Sequence, residues 1–286
     1  DYPQYPNEGS VKINKGATST DFNGTGVAKV ELGVTGVPVK KGVDVVLLFD
    51  VSTSMKDPVS ANDSTTKLKA AKDAATQFVD ILLGDNDDGT KSNNRLALVT
   101  FAGWENEAGN EVLYGLKNAE AKNSIKSTIN SITNTYSGTD YDYAFEKANE
   151  ILATADSNRE TYVVFMTDGA PSEYTGTNGI RYVWSNYNNS NLVNGANNNL
   201  LKGAEDAKTN GAKVYSIGFG LTNATSNNNN GFTPNEAKAI LNKISSGTNY
   251  YVSADSQTEI NTAFSNIAMQ IRKAGTNAVV TDKLGA

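Results

Sequence analysis

The stretch that decides the fold lies near the start of the chain and reads Val43-Asp44-Val45-Val46-Leu47-Leu48-Phe49-Asp50-Val51-Ser52-Thr53-Ser54-Met55. Val45–Phe49 is an unbroken apolar run, which is typical of a strand buried on both faces of a parallel sheet. The run ends at Asp50, and Ser52 and Ser54 follow at alternate positions. These polar residues therefore fall at the carboxyl end of the strand, where open α/β sheets bind their ligands.

Two interpretations of this polar end are open. A carboxylate and two hydroxyls on one short loop offer only oxygen atoms, which suits a hard divalent cation such as Mg²⁺. The alternative is an ordinary polar turn after a strand, because Asp and Ser favour turns. The stretch alone does not separate them, so a cation site needs further ligands from the rest of the chain.

The composition limits the classes of function. The chain has 286 residues, 38% of them hydrophobic, which indicates one large domain with additions, or two domains. The net charge of −6 argues against nucleic acid as a partner, and no apolar run is long enough to cross a membrane. The chain has no His and no Cys, which excludes Ser-His-Asp and Cys-His catalysis, the usual zinc sites and disulfides.

From residue 43 onward, strand and helix patterns alternate. The predicted strands are 43–50, 95–102, 161–168, 212–220 and 249–253. Helical spacing of apolar residues is found within 68–82, 141–152 and 260–271. Capping-box sequences at Thr233–Glu236 and Ser256–Glu259 predict helix starts. Residues 111–115 follow the preceding strand too closely for a crossover helix, which predicts a short antiparallel edge strand. The expected fold is doubly wound α/β, with a mostly parallel sheet and helices on both faces.

Both ends of the chain differ from this pattern. Residues 11–14 and 27–34 alternate apolar with polar or small residues, which predicts two antiparallel strands in a β element covering 1–42. Residues 278–282, within 275–286, carry another short strand signal. We therefore expect the region 43–274 to be inserted into a partial β domain.

Two polar stretches, 103–110 and 170–199, are insertions in the α/β pattern. Long loops inside a compact domain are usually functional or disordered. Their large aromatic residues are candidates for ligand binding: Trp104, Tyr174, Tyr182, Trp184 and Tyr187. Exposed Trp and Tyr are typical of interaction surfaces, although these side chains can equally cover local apolar surface.

Two further polar segments supply partners for the first motif. A second apolar strand ends at Thr167-Asp168-Gly169, and Ser137-Gly138-Thr139-Asp140 opens a helix predicted over 139–155. Parallel strands place their carboxyl ends at one edge, so one site gathers two carboxylates and three hydroxyls, completed to an octahedron by water. The predicted ligands are Asp50, Ser52, Ser54, Thr139 and Asp168.

With these residues the chain resembles the von Willebrand factor A-type domains that carry a metal-ion-dependent adhesion site, over about 43–274. The family motif D-x-S-x-S, a Thr and an Asp are all matched. The resemblance implies that Ser52, Ser54 and Thr139 bind the ion directly, whereas Asp50 and Asp168 act largely through water. It also implies a coordination position left open for a carboxylate of the partner. Mg²⁺ or Mn²⁺ is expected, and the larger Ca²⁺ suits small neutral oxygen ligands less.

The flanking strands and aromatic insertions make the chain similar to the tip adhesins of Gram-positive bacterial pili, in which the A-type domain is inserted into an immunoglobulin-like domain. This resemblance implies an extracellular protein on a cell wall-anchored pilus. Its expected partners are a host extracellular matrix protein or cell-surface ligand that offers a carboxylate. Pilus backbone subunits are also expected partners, through segments outside these residues.

The sequence leaves three functions to compare. The first is an adhesion module without catalysis. The second is a metal-dependent phosphohydrolase with Asp50 as nucleophile, but such an enzyme is expected to carry a second Asp two residues later, where Ser52 stands. The third is an intracellular A-type domain in a metal-dependent assembly machine. The β flanks and the aromatic insertions favour adhesion, and no enzymatic activity is expected.

Overall fold

The computed structural model describes residues 4–5, 10–19, 28–36, 41–87, 89–103, 108–175, 181–183, 201–221 and 232–275. Within them, Gly42–Ala274 form one compact unit, and the strands before Gly42 lie in a second. None of the helices in these ranges has the length and apolar character needed to span a membrane.

The strands are numbered here in chain order. They are β1 (Val11–Ser19), β2 (Ala28–Gly36), β3 (Val43–Asp50), β4 (Pro58–Ser60), β5 (Asp63–Thr66), β6 (Arg95–Phe101), β7 (Glu111–Lys117), β8 (Glu160–Thr167), β9 (Glu173–Thr175), β10 (Arg181–Val183), β11 (Lys213–Phe219) and β12 (Tyr251–Ala254). The helices described are α1 (Lys67–Leu82), α2 (Lys122–Ser131), α3 (Tyr141–Leu152), α4 (Lys202–Thr209), α5 (Pro234–Ile244) and α6 (Gln257–Ala274).

A six-stranded sheet in the order β12-β11-β8-β3-β6-β7 forms the centre of the larger unit. All neighbouring strands are parallel except β6 and β7, which pair antiparallel at the edge. The doubly wound, mostly parallel sheet with one antiparallel edge strand is therefore confirmed. Every residue of β3 is buried, as its apolar sequence predicted.

Helices cover both faces of the sheet because successive side chains of β3 point to opposite sides. Leu47 and Phe49 pack into a core with α1, α2 and α6, where Phe78 and Phe264 meet edge to face at 5.7 Å between ring centroids. Val46 and Leu48 belong to the opposite core, which is built with α3, α4 and α5.

Some local boundaries differ from the sequence prediction. The helix expected over 139–155 ends at Leu152 and begins at Tyr141. It begins there because Asp140 is extended and its carboxylate accepts the amides of Asp142 and Tyr143 as an N-cap. The capping box at Thr233 forms in full. At the second predicted box, Ser256 accepts the Glu259 amide, but the Glu259 carboxylate accepts from the Asp255 amide instead.

Several short elements were not predicted. β4 and β5 form a hairpin between the first site motif and α1. β9 and β10 form another inside the insertion 170–199. The helices α2 and α4 are short and bury only two residues each, so their periodic signal in the sequence is weak.

In the smaller unit, β1 and β2 pair antiparallel over nine residues each, from Val11 opposite Gly36 to Ser19 opposite Ala28. The strand predicted at 278–282 lies outside the described residues. The insertion of 43–274 into a β domain therefore stays a prediction.

Candidate metal centre

The carboxyl ends of β3 and β8 meet at one edge of the sheet. Phe49 pairs with Met166, so the next residues, Asp50 and Thr167, lie alongside each other, and Asp168 follows directly. The backbone that follows β3 is fixed to the end of β6, because the Val51 amide donates to the Phe101 carbonyl at 2.9 Å. The two acidic strand ends that the sequence singled out are thus adjacent.

Asp50 is fully buried and uses both carboxylate oxygens. Its Oδ1 accepts the Ser52 amide at 2.7 Å, and its Oδ2 accepts the Thr167 hydroxyl at 2.5 Å. These bonds fix the turn that follows β3 and join it to the end of β8. The geometry gives Asp50 an orienting role beneath the loop.

The two serine hydroxyls converge on Asp168. A 3₁₀ turn at Thr53–Lys56 follows Ser52, and buried Met55 anchors it in the core. The Ser54 hydroxyl donates to Asp168 Oδ1 at 2.7 Å, and the Ser52 hydroxyl lies 3.5 Å from the same oxygen. The two hydroxyl oxygens are 3.1 Å apart. Three oxygen-bearing side chains therefore share one small volume.

Thr139 lies on the same edge, in the loop before α3. Its amide donates to the Ser172 hydroxyl at 2.6 Å, and its carbonyl accepts the Ser172 amide at 3.0 Å. The loop is also tied to β3, because the Tyr136 amide donates to the Val51 carbonyl at 2.9 Å. Thr139 is thereby held beside the segment that follows Asp168, with its side chain almost fully buried.

The site carries more negative than positive charge. Burial, and then the charge of Asp168, raises the pKa of Asp50 to about 7 from the usual 3.8. The Lys67 ammonium lies 2.9 Å from Asp168 Oδ2 and is the cation paired with this carboxylate. The ammonium pairs with Asp168 and not with Asp50 among the described contacts, so the negative charge of two buried carboxylates is only partly balanced, which favours a further cation.

The donor set fits a hard divalent cation. All the converging groups are oxygens, and two are neutral hydroxyls. In the part of the chain that the structure describes, no group of three or more His, Cys, Asp or Glu side chains is placed to hold a metal. A cation at this edge would therefore depend on the serine and threonine hydroxyls, as the sequence predicted. Ligation by these five residues stays a prediction.

The predicted ligand-binding aromatic residues are only partly located. Tyr174 and Tyr182 are directly opposite each other in the β9–β10 hairpin. Trp104, Trp184 and Tyr187 lie outside the described residues, so the proposed aromatic surface stays a prediction.

Sequence reasoning missed three residues that organise this edge: Thr167, Ser172 and Lys67. Thr167 stands next to Asp168, and its position in register with Asp50 was the available signal. Ser172 follows the same strand end by a few residues, but a Ser in a polar loop has no distinctive pattern. Lys67, at the start of α1, carried no sequence signal for burial.

Residues 45–170 match the family model of the von Willebrand factor type A domain. No curated protein sequence matches the chain significantly. The chain is similar to the pilus adhesin SpaC from Lactobacillus rhamnosus GG, with 20% identity and a TM-score of 0.64. That match covers 96% of this chain but 35% of SpaC, so the chain spans about a third of that protein.

Two further solved structures share the fold. The von Willebrand factor domain of the type V pili tip protein Mfa5 from Porphyromonas gingivalis is 18% identical, with a TM-score of 0.61 over 86% of this chain and 100% of that one. Proximal thread matrix protein 1 from the mussel byssus, solved with a zinc-occupied metal-ion-dependent adhesion site, is 20% identical, with a TM-score of 0.52 over 82% of this chain and 46% of that one.

At these identities the likeness to solved structures concerns the fold. The family model matches the region that runs from β3 past the end of β8, and all five predicted metal ligands lie within it. Family model and sheet architecture agree, and the resemblance to the von Willebrand factor type A domain is confirmed.

Proposed function

We propose that this chain is an adhesion module at the tip of a Gram-positive bacterial pilus. It binds a host extracellular matrix protein or cell-surface ligand through a divalent cation at the carboxyl edge of the sheet. The observation that carries the proposal is the convergence of the Ser52 and Ser54 hydroxyls on Asp168, above the fully buried Asp50.

The side chains divide the work of holding the ion. Ser52, Ser54 and Thr139 offer neutral oxygens, while Asp50 and Asp168 orient the loops and hydroxyls from behind, as second-layer groups do in metal sites. When bound, Mg²⁺ or Mn²⁺ supplies a Lewis-acidic position for a carboxylate oxygen of the partner. Because hydroxyl ligands neutralise little of the ion's charge, the cation gains from an external anionic ligand.

Similarity to a pilus adhesin and to a pilus tip protein supports a place on the cell surface. The aromatic residues of the two insertions are proposed to contact the partner around the cation. Attachment to pilus backbone subunits and to the cell wall is proposed to involve segments beyond residues 1–286.

We propose no catalytic activity. A phosphohydrolase that used Asp50 as nucleophile would need a free carboxylate oxygen facing the substrate. Both oxygens of Asp50 accept hydrogen bonds from the chain itself, and the side chain is fully buried. These contacts favour an orienting role, as expected for an adhesion module.

The test is a screen of immobilised matrix proteins, including collagen and fibronectin, with the parent chain in Mg²⁺ and in chelator. The variant Asp50→Asn keeps the size of the side chain and an acceptor for the Ser52 amide, but it removes the charge. We expect roughly a 10- to 100-fold loss of cation affinity by calorimetry, and loss of matrix binding at Mg²⁺ concentrations that just saturate the parent.

The matched control is Asp73→Ala, which removes an exposed carboxylate on α1 that pairs with Lys69 away from the site. This variant should bind as the parent does. Binding by the parent that is undiminished in chelator, or undiminished by Asp50→Asn, would show that the cation is not the anchor.

A further inference from the structure

Lys67 is the most unusual charged residue near the metal centre. It is the first residue of α1, yet its side chain is only 9% exposed. A positive charge in the first turn of a helix is unfavourable, because the helix dipole is positive there. Lysine also rarely lies buried without a partner. A specific interaction must therefore hold Lys67 in place.

That interaction is the contact with Asp168. The Lys67 ammonium donates to Asp168 Oδ2 at 2.9 Å. The other oxygen of the same carboxylate, Oδ1, accepts from the Ser54 hydroxyl at 2.7 Å. Asp168 thus divides its two oxygens between the ammonium on one side and the cation-binding hydroxyls on the other.

The fold leaves a path for this side chain. Gly220 follows β11 with a φ of +69°, and a Cβ atom there would lie 2.8 Å from Lys67 Cε. A larger residue at this position would require the lysine stem to shift. The absence of a side chain at Gly220 therefore leaves room for the Lys67 side chain to reach Asp168.

We propose that Lys67 is a built-in counter-charge that limits the affinity of this centre for its divalent cation. The inference rests on the proposed cation-dependent function. The ammonium neutralises part of the charge of Asp168 before a cation arrives, and it repels the cation afterwards. The bound ion is consequently held less tightly. Less of its positive charge is neutralised by the site, so it attracts a carboxylate of the partner more strongly.

The test is calorimetric titration of the full chain with Mg²⁺ and Mn²⁺ at fixed pH and ionic strength. Lys67→Met keeps an unbranched side chain against Gly220 without the charge. We expect it to bind both cations at least about 10-fold more tightly, because even in bulk water two unit charges a few ångströms apart repel by about 1 kcal/mol and the ion carries two charges. In chelator this variant should also melt at a lower temperature than the parent, with stability restored by Mg²⁺.

Lys67→Gln provides a second variant that is neutral but can still donate a hydrogen bond to Asp168. If charge is what matters, Lys67→Met and Lys67→Gln tighten cation binding alike. If Lys67 merely positions Asp168, Lys67→Gln binds like the parent and Lys67→Met binds more weakly, which overturns the inference. Lys69→Met, an exposed residue of the same helix that pairs with Asp73, removes the same formal charge and should leave affinity unchanged.

The outcomes also separate this inference from the proposed function. A parent that binds cation, together with Lys67 variants that bind no more tightly, overturns the counter-charge and leaves metal-dependent adhesion standing. Absence of cation binding at millimolar concentrations in the parent and in both Lys67 variants overturns both. Binding by the variants alone shows that Lys67 limits the site strongly and supports the inference.

Discussion

The buried aspartates at the two ends of strand β3 differ in their positively charged partners. At the amino end, fully buried Asp44 accepts Arg95 Nε and Nη2 at 2.7 and 2.5 Å, and Arg159 Nε at 2.7 Å. At the carboxyl end, Asp50 and Asp168 are both buried; Lys67 pairs with Asp168, and no ion pair of Asp50 is found among the described residues. Asp44 thus has two guanidinium partners, whereas one ammonium is paired at the end that holds two carboxylates.

This difference separates a structural role from a binding role. The planar guanidinium groups of Arg95 and Arg159 neutralise the charge of Asp44 and satisfy its oxygens. Arg159 also donates to the carbonyls of Val43 and Asn93, which ties β3 to the neighbouring chain segments. At the other end the excess negative charge is confined beside hydroxyls that are suited to a cation. The same residue type on the same strand therefore closes an ion-pair cluster at one end and supports the proposed cation site at the other.

The largest expected effect is on the pH dependence of the free energy of unfolding, measured in chelator. The pKa of Asp50 is about 7 in the folded chain and 3.8 ordinarily, so the folded state binds the proton more tightly than the unfolded state does. The resulting stability is fully present below pH 3.8, declines as pH rises, and is lost above about pH 7. The loss amounts to about 4 kcal/mol at most. Urea unfolding between pH 4 and 8 measures it.

Asp50→Asn is the reference for this measurement, because it cannot ionise and shares every other titrating group with the parent. We expect the variant to be the more stable of the two above pH 7 in chelator. Excess Mg²⁺ should reduce the difference, since a bound cation favours the ionised carboxylate. Equal pH profiles of parent and variant in chelator would contradict the charge imbalance at this end of β3.

At the opposite end, Asp44→Ala is expected to destabilise the fold by about 3 kcal/mol, because it leaves two guanidinium groups without their buried acceptor. Partial exposure of Arg95 keeps the figure at the lower part of the usual range. Cation affinity should change less than twofold. Urea unfolding and calorimetric titration of the same preparation check both statements. A large loss of cation affinity without loss of stability would contradict the purely structural role of Asp44.

The carboxyl end was largely predictable from sequence because its residues mark the ends of strong patterns. Asp50 and Asp168 each terminate an apolar run, and parallel pairing then brings those ends together. Ser52 and Ser54 follow within the same turn, so their placement depends on local structure. Thr139 required the expectation that a helix opens on the same edge.

Lys67 could not be predicted by the same reasoning. A lysine beside the apolar stripe of an amphipathic helix is ordinarily solvated, and nothing adjacent to it in sequence indicates otherwise. Its burial depends on Asp168 and Gly220, which come from two other parts of the chain. The ion pairs of Asp44 with Arg95 and Arg159 likewise depend on tertiary contacts. Charge pairing between distant elements was the part that the sequence pattern left undetermined.

The smallest expected effect concerns the loop that holds Thr139 at the carboxyl end. Asp140 caps α3 through the amides of Asp142 and Tyr143, and its own amide donates to the Ala102 carbonyl at 2.5 Å. Asp140→Ala removes the side-chain cap and should lower the free energy of unfolding by about 1 kcal/mol. Because Thr139 is the preceding residue, its hydroxyl should be held less firmly, and cation affinity should fall a few-fold.

Asp140→Asn tests whether capping or charge is responsible, since Asn caps helices about as well as Asp. It should retain both the stability and the cation affinity of the parent in urea unfolding and calorimetric titration. If Asp140→Asn lowers cation affinity as much as Asp140→Ala does, the carboxylate of Asp140 contributes through its negative charge. The charge excess at this end of β3 would then extend beyond Asp50 and Asp168 to the start of α3.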